Sequence, residues 1–255
     1  MITKQQLIDL TRITHFKPHQ QEKHYIQTLI LNSIYSTITD EMVFKGGTCL
    51  LFFHGLKRFS EDLDFTLIKD TDIKKIILNI GKDLETIGIQ NKISPMEEND
   101  TSISFKIGVE GPLYTKEIER CFVKIDISKR EEVSKFEILD LKTNYKEILS
   151  FSVPVMSKQE ILSEKVRAII TRDQARDVYD LNFLLDQGVK PDIALINKKL
   201  SYYKKEFNHI EFKKALMKKE KIWISELTPF ILEKIPDFKQ VKKFILKKFQ
   251  EVIKK

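Results

Sequence analysis

The sequence predicts an α+β chain, with a mixed sheet and its helices over residues 1–155 and a mainly α-helical, basic domain over residues 156–255. Three observations carry this. "SEDLDFTLI" and "ERCFVKIDIS" alternate polar and apolar residues with a period of two, the mark of half-buried strands. After "FSVPVMS" that alternation stops, and from "KQEILSEKVRAII" onward the pattern is helical, punctuated by Gly188, Pro191, Pro229 and Pro236. Charge divides as well: from Lys190 there are 18 lysines, no arginine and 8 acidic residues, a net +10, so with +7 for the whole chain the first 189 residues carry −3.

The elements follow in order. Tyr25, Leu29, Ile34 and Ile38 recur at helical spacing, which predicts a helix from Lys17 ending near Asp40. "EMVFKGG" reads as a short strand running into a turn, and "TCLLFFHGL" as a short buried helix closed by Gly55. Asp62, Asp64 and Thr66 alternate with Leu63, Phe65 and Leu67 on the next strand. A helix over 71–87 and a strand at "TSISFKIGVE" come next. In the strand at "ERCFVKIDIS", Phe122, Lys124, Asp126 and Ser128 take one face and Val123, Ile125 and Ile127 the other. The final "VKKFILKKFQEVIKK" is a basic amphipathic helix with Phe244, Ile245, Phe249, Val252 and Ile253 on one side, read first as a docked terminal helix.

Several function classes lose their support. No window approaches the ~18 uninterrupted apolar residues of a membrane span, so a soluble, cytoplasmic protein is expected. Cys49 and Cys121 are the only cysteines and lack ligand spacing, which leaves them a packing role. No G-x-x-x-x-G-K-[S/T] loop and no Ser/His/Asp order occurs, and His15, His19, His24, His54 and His209 show no metal spacing. The lysine-rich tail either attracts polyanions, nucleic acid first among them, or solvates the outer faces of helices.

The chemistry concentrates in "FKGGTCLLFFHGLKRFSEDLDFTL". Residues i and i+2 of a strand share a face, so Asp62 and Asp64 bring their carboxylates together, and Asp126 stands at the equivalent position of a second strand. Were those strands neighbours, three carboxylates would form the oxygen-rich environment that Mg²⁺ prefers while it also holds phosphates. Gly46 and Gly47 remove Cβ atoms where the chain leaves a strand, opening backbone N–H groups to an anion at a helix N-terminus, with Thr48 as cap and hydroxyl donor. Arg58 either clamps a phosphate or pairs with Glu61 or Asp62. Ser60 either bonds a metal ligand or is a turn residue.

The order G-G-T, then R-x-S-x-D-x-D at Arg58, Ser60, Asp62 and Asp64, then Asp126 in "KIDIS", resembles the nucleotidyltransferase superfamily. The later "EKVRAIITRDQARDVYDL" looks like the second signature of its AbiEii/AbiGii toxin branch, which includes the MenT-type toxins; the likeness spans roughly residues 40 to 185. The resemblance implies a polymerase-β-like α/β domain followed by a helical one, using an NTP and Mg²⁺. It matches Gly47 and Thr48 to the phosphate-binding turn, Asp62 and Asp64 to the metal pair, Asp126 to the third acid, Lys165 to the triphosphate and Asp180 to the acidic position of the second signature. Were residues 160–185 one helix, Lys165, Arg172, Arg176 and Asp180 would share a face, leaving Asp177 to a structural pairing with an arginine. The implied function is NMP transfer from an NTP to an RNA acceptor such as tRNA, in a bacterial toxin–antitoxin or abortive-infection system with an antitoxin protein. A small molecule or a protein side chain is the alternative acceptor, and a non-catalytic RNA-binding protein of the same fold the further alternative.

Overall fold

A computed structural model of the protein describes residues 1–231 and 233–253. Contacts divide the chain into two compact units, Met1–Gly55 with Phe59–Val155, and Leu56–Arg58 with Met156–Lys255.

The first unit opens with helices α1 (Lys4–Thr14) and α2 (Pro18–Thr37). Then come β1 (Met42–Lys45), α3 (Gly46–His54), β2 (Leu63–Leu67), α4 (Ile73–Thr86), β3 (Asn91–Ile93), β4 (Glu97–Glu98), β5 (Ser102–Val109), β6 (Cys121–Ser128), β7 (Phe136–Leu141) and β8 (Phe151–Met156). The strands form one mixed sheet in the order β3-β5-β6-β2-β1-β8-β7, with β4 paired to β5. β1 and β2 run antiparallel, because nine-residue α3 returns the chain, whereas β2 and β6 run parallel. Gly55, at φ 73°, ends α3 in the left-handed conformation that glycine adopts without Cβ strain.

Apolar spacing explains which faces are covered. Ile73, Ile76, Ile80 and Leu84 lie on one stripe of α4 and are buried, and α4 packs on α2, where Ser33 donates to Asp83 and Asn79 to Thr37. α2 also packs on β6, whose Val123, Ile125 and Ile127 are buried. Along β6 the intervening side chains are more exposed, which is the alternation read from the sequence. α1 has no counterpart among the elements read there, although Thr3 and Gln6 form a complete capping box at its start. β3, β4 and β7 are likewise additions: they are short or peripheral, and too brief for a period-two signal.

The second unit contains α5 (Lys158–Thr171), α6 (Ala175–Asp186), α7 (Ile193–Ser201), α8 (His209–Lys218), α9 (Trp223–Leu227) and α10 (Phe238–Ile253). α5 and α6 are separate helices, so the continuous helix over 160–185 is corrected: Arg172 takes extended backbone, φ −144°, and ends α5. α10 docks on α6 and α8, with Val241, Ile245 and Phe249 buried and the Phe249 ring 4.7 Å from that of Phe212. Its buried seam therefore runs at a spacing of four, and Ile253 is 47% exposed. Lys199 and Lys219 are buried in ion pairs with Glu160 and Asp173, so part of the lysine content serves the core. Among the described residues no helix is long and apolar enough to cross a membrane.

Candidate functional site

Strand register brings the acidic residues of the first unit together. Asp64 is the direct partner of Asp126 across parallel β2 and β6, strands that lie about 4.8 Å apart, and Asp62 stands just ahead of β2, two residues before Asp64. All three are half-buried. On the same face of β6, Lys124 places its Nζ 2.8 Å from Asp126. Partial burial works against the charge of Lys124, but the hydrogen bond to Asp126 and the fields of Asp126, Asp62 and Asp64 together raise its pKa. The three carboxylates thus act on one cation of the protein itself.

The glycine turn serves that arrangement directly. Gly46 has φ 76°, and a Cβ there would come within 2.3 Å of Oδ2 of Asp64. The carboxylate therefore lies against the Gly46 backbone at the start of α3, where a helix N-terminus favours negative charge. The expectation for Thr48 is corrected. Its place is inside α3 and not at the cap; it is fully buried, and its hydroxyl donates to the Asp62 carbonyl, fixing the backbone that carries the first carboxylate.

Two residues join this face that sequence reasoning missed. Lys45 is the register partner of Asp64 and forms a buried ion pair with Glu131, its Nζ 2.9 Å from Oε2. Its position directly before Gly46-Gly47 was the available signal. Glu131 follows β6 in a loop, where no periodicity marks it. Ser60 is buried, and its carbonyl accepts from the Gln27 side chain at 3.2 Å, which ties the approach to β2 onto α2.

Could this face hold a divalent cation? Asp62, Asp64 and Asp126 supply the hard carboxylate oxygens that Mg²⁺ takes, and the cradle at Gly46 fits the Asp64 carboxylate. Among the described residues no three Asp, Glu, His or Cys side chains stand close enough to form a ligating group. The donor types suit the metal, but the side chains as placed do not gather into its ligand set.

In the second unit the second signature forms a buried charge network. Lys165 on α5 reaches Asp177 at 3.0 Å and Asp180 at 2.7 Å, both on α6. Arg58 donates to both Asp180 oxygens, at 2.6 and 2.7 Å, and Arg172 donates to both Asp177 oxygens, at 2.8 and 2.9 Å. Arg58 is therefore a partner of Asp180, a pairing beyond those the sequence suggested, and Glu61 pairs with Lys23. Burial raises the pKa of both aspartates, but Lys165 with Arg172 holds Asp177, and Arg58 with Lys165 holds Asp180, well below the ordinary carboxylate range. Three cations face two carboxylates, and of the cations Arg172 reaches solvent, with its side chain 48% exposed. Arg176 turns elsewhere, over the Phe230 ring.

Cys49 and Cys121 are buried free thiols, and His54 ends α3.

Residues 29–253 match the family model "Nucleotidyl transferase AbiEii toxin, Type IV TA system". Among solved structures, MenT4, a nucleotidyltransferase toxin from Mycobacterium tuberculosis, superposes with TM-score 0.69 at 15% identity, over 98% of this chain and 89% of that one. JHP933 from Helicobacter pylori gives TM-score 0.59 at 20% identity, over 94% of each chain. Likeness at such identity is one of fold. No sequence among the curated proteins matches the chain.

Proposed function

The chain belongs to the AbiEii nucleotidyltransferase toxin family, and from that premise we propose that it transfers a nucleoside monophosphate from an NTP to an RNA acceptor, tRNA being the first class to test. The observation that carries the reading is the register of Asp64 with Asp126 beside the Gly46 cradle.

In this reading Asp62, Asp64 and Asp126 would hold Mg²⁺ at the β2–β6 face. When bound, such ions neutralise phosphate charge and lower the pKa of an attacking hydroxyl. The acceptor hydroxyl oxygen forms a bond to the α-phosphorus as the bond to the α–β bridging oxygen breaks. Pyrophosphate leaves, and the hydroxyl proton passes to solvent. Lys124 sits two residues before Asp126 and is pulled by the same carboxylates, so it exchanges its place among them for a cation or follows the phosphates. Gly46, Gly47 and Thr48 fix the geometry: the glycine pair admits the Asp64 carboxylate and Thr48 holds Asp62 through its carbonyl.

Lys165, Arg58 and Asp180, assigned by resemblance to the nucleotide, are first of all one another's partners. The lysine-rich second unit offers charge to an RNA backbone. As a toxin acting on tRNA the enzyme would block translation, and a cognate antitoxin would restrain it.

The test is incubation of the protein with each α-labelled NTP, Mg²⁺ and total RNA, beside an Asp62→Ala, Asp64→Ala double variant. Label entering RNA only with the wild type supports the proposal. Label entering protein or a small metabolite would replace the acceptor, and no transfer from any NTP would remove the chemistry.

A further inference from the structure

The sheet face that carries Asp126 continues beyond it. Along β6, Lys124 and Phe122 follow on the same side, and the antiparallel partner β5 sets Lys106 opposite Lys124 and Gly108 opposite Phe122. β3 adds Lys92, the register partner of Gly108.

Phe122 is 53% exposed, although its neighbours Cys121 and Val123 are buried. Its ring rests over Gly108: a Cβ at that glycine would come 2.7 Å from Cε1 of Phe122. The missing side chain lets the aromatic ring settle on the sheet while its outer side meets solvent. A single exposed ring is ordinary on a protein surface, and it is the company of this one, on the face that carries Asp126, that singles Phe122 out.

Lysines surround it. Lys106 and Lys92 are exposed, and Lys106 stands directly across from Lys124, whose own charge Asp126 offsets at 2.8 Å. The acidic groups at the margin are Glu97, opposite Ser104, and Glu117, which Arg120 holds at 2.8 Å. An exposed aromatic ring among lysines is the composition that stacks an unpaired base and follows its phosphates.

We infer that the β5–β6 face is the acceptor platform: Phe122 stacks an unpaired base of the RNA, and Lys92 and Lys106 take the adjoining phosphates. Four residues of strand separate Phe122 from Asp126, about 13 Å along one face. The inference rests on the RNA-acceptor reading, and binding without NTP separates the two.

Fluorescence anisotropy of a short labelled single-stranded oligoribonucleotide, measured without NTP, is the test. Phe122→Ala weakens binding about 5- to 150-fold, the range of one base–aromatic stack, and Phe122→Trp retains it. Lys106→Gln lowers the slope of log K against log salt by about 0.7, the loss of one phosphate contact on a single strand. Equal binding by wild type and Phe122→Ala, or no binding by the wild type, overturns the platform. Label transfer decides the chemistry separately: transfer that Phe122→Ala leaves untouched keeps the enzyme and removes the platform, and RNA binding without any transfer does the reverse. Thermal melts of the variants match wild type, because the altered side chains are exposed.

Discussion

The carboxylates of the two signatures have opposite surroundings. Asp177 and Asp180 are almost wholly buried and each accepts from an arginine and from Lys165, so their charges are matched within the protein. Asp62, Asp64 and Asp126 are half-buried on an open sheet face and share the field of Lys124, an ammonium whose own side chain is 41% exposed. A buried network is satisfied at folding and loses heavily when one member is removed. A half-exposed acidic cluster can be reached by a ligand from solvent. The first holds the fold, and the second is where chemistry is expected.

The largest expected effect tests the buried side. Asp180→Ala leaves Arg58 and Lys165 uncompensated and destabilises the protein by about 3–5 kcal/mol in urea unfolding. Asp64→Asn, by contrast, leaves the melting temperature near wild type while nucleotidyl transfer falls roughly 10²–10³-fold, the usual loss when one electrostatic element of a site is removed. If Asp64→Asn unfolds the chain, or Asp180→Ala does not, the division between the two clusters fails.

Acid pH separates them further. The pKa values of Asp177 and Asp180 are depressed in the folded state, so their contribution is fully present above the ordinary aspartate value of about 4 and is lost as pH falls toward the folded values. Asp177→Asn, Asp180→Asn shows a shallower fall of stability in acid. His24 adds a second window with the same sign. Burial lowers its pKa from 6.5 to about 4, while its Nδ1 lies 2.8 Å from the Tyr145 hydroxyl and its ring stacks on Phe52, so stability drops as pH goes from 6.5 toward 4. His24→Gln removes the slope in that interval and leaves transfer at pH 8 unchanged.

Gly46→Ala is intermediate. It forces a side chain into positive φ and against Oδ2 of Asp64, costing about 1–3 kcal/mol and displacing the carboxylate, so transfer declines more than melting does. Lys124→Met is the smallest in stability, under about 1 kcal/mol for a half-exposed pair. It raises the affinity for divalent cations, since a competing charge is gone.

Much of this was legible in the sequence because two periods carry it. Alternation placed Asp62, Asp64 and Asp126 on strand faces, and β2 and β6 are neighbours in the sheet. Local patterns did not reveal what distant residues supply. The partner of Arg58 lies on α6, 122 residues away, and nothing near Arg58 announces it. Thr48 looked like a cap because Ser and Thr favour that place, yet α3 begins two residues earlier, at the glycine whose positive φ starts the turn. A break near Thr171 to Gln174 was open in the sequence, and what decides it is the pairing of Arg172 with Asp177, a contact that helical spacing does not show.

The central claim is that the open carboxylate face, and not the buried network, receives the metal-bound nucleotide. Mn²⁺ in place of Mg²⁺, titrated into wild type and Asp64→Asn with a non-hydrolysable NTP analogue and followed by electron paramagnetic resonance, addresses it directly. Saturable, nucleotide-dependent Mn²⁺ binding by the wild type, weakened at least about tenfold by Asp64→Asn, a difference of 1.4 kcal/mol, is the result predicted. Binding of equal strength by both proteins would contradict it.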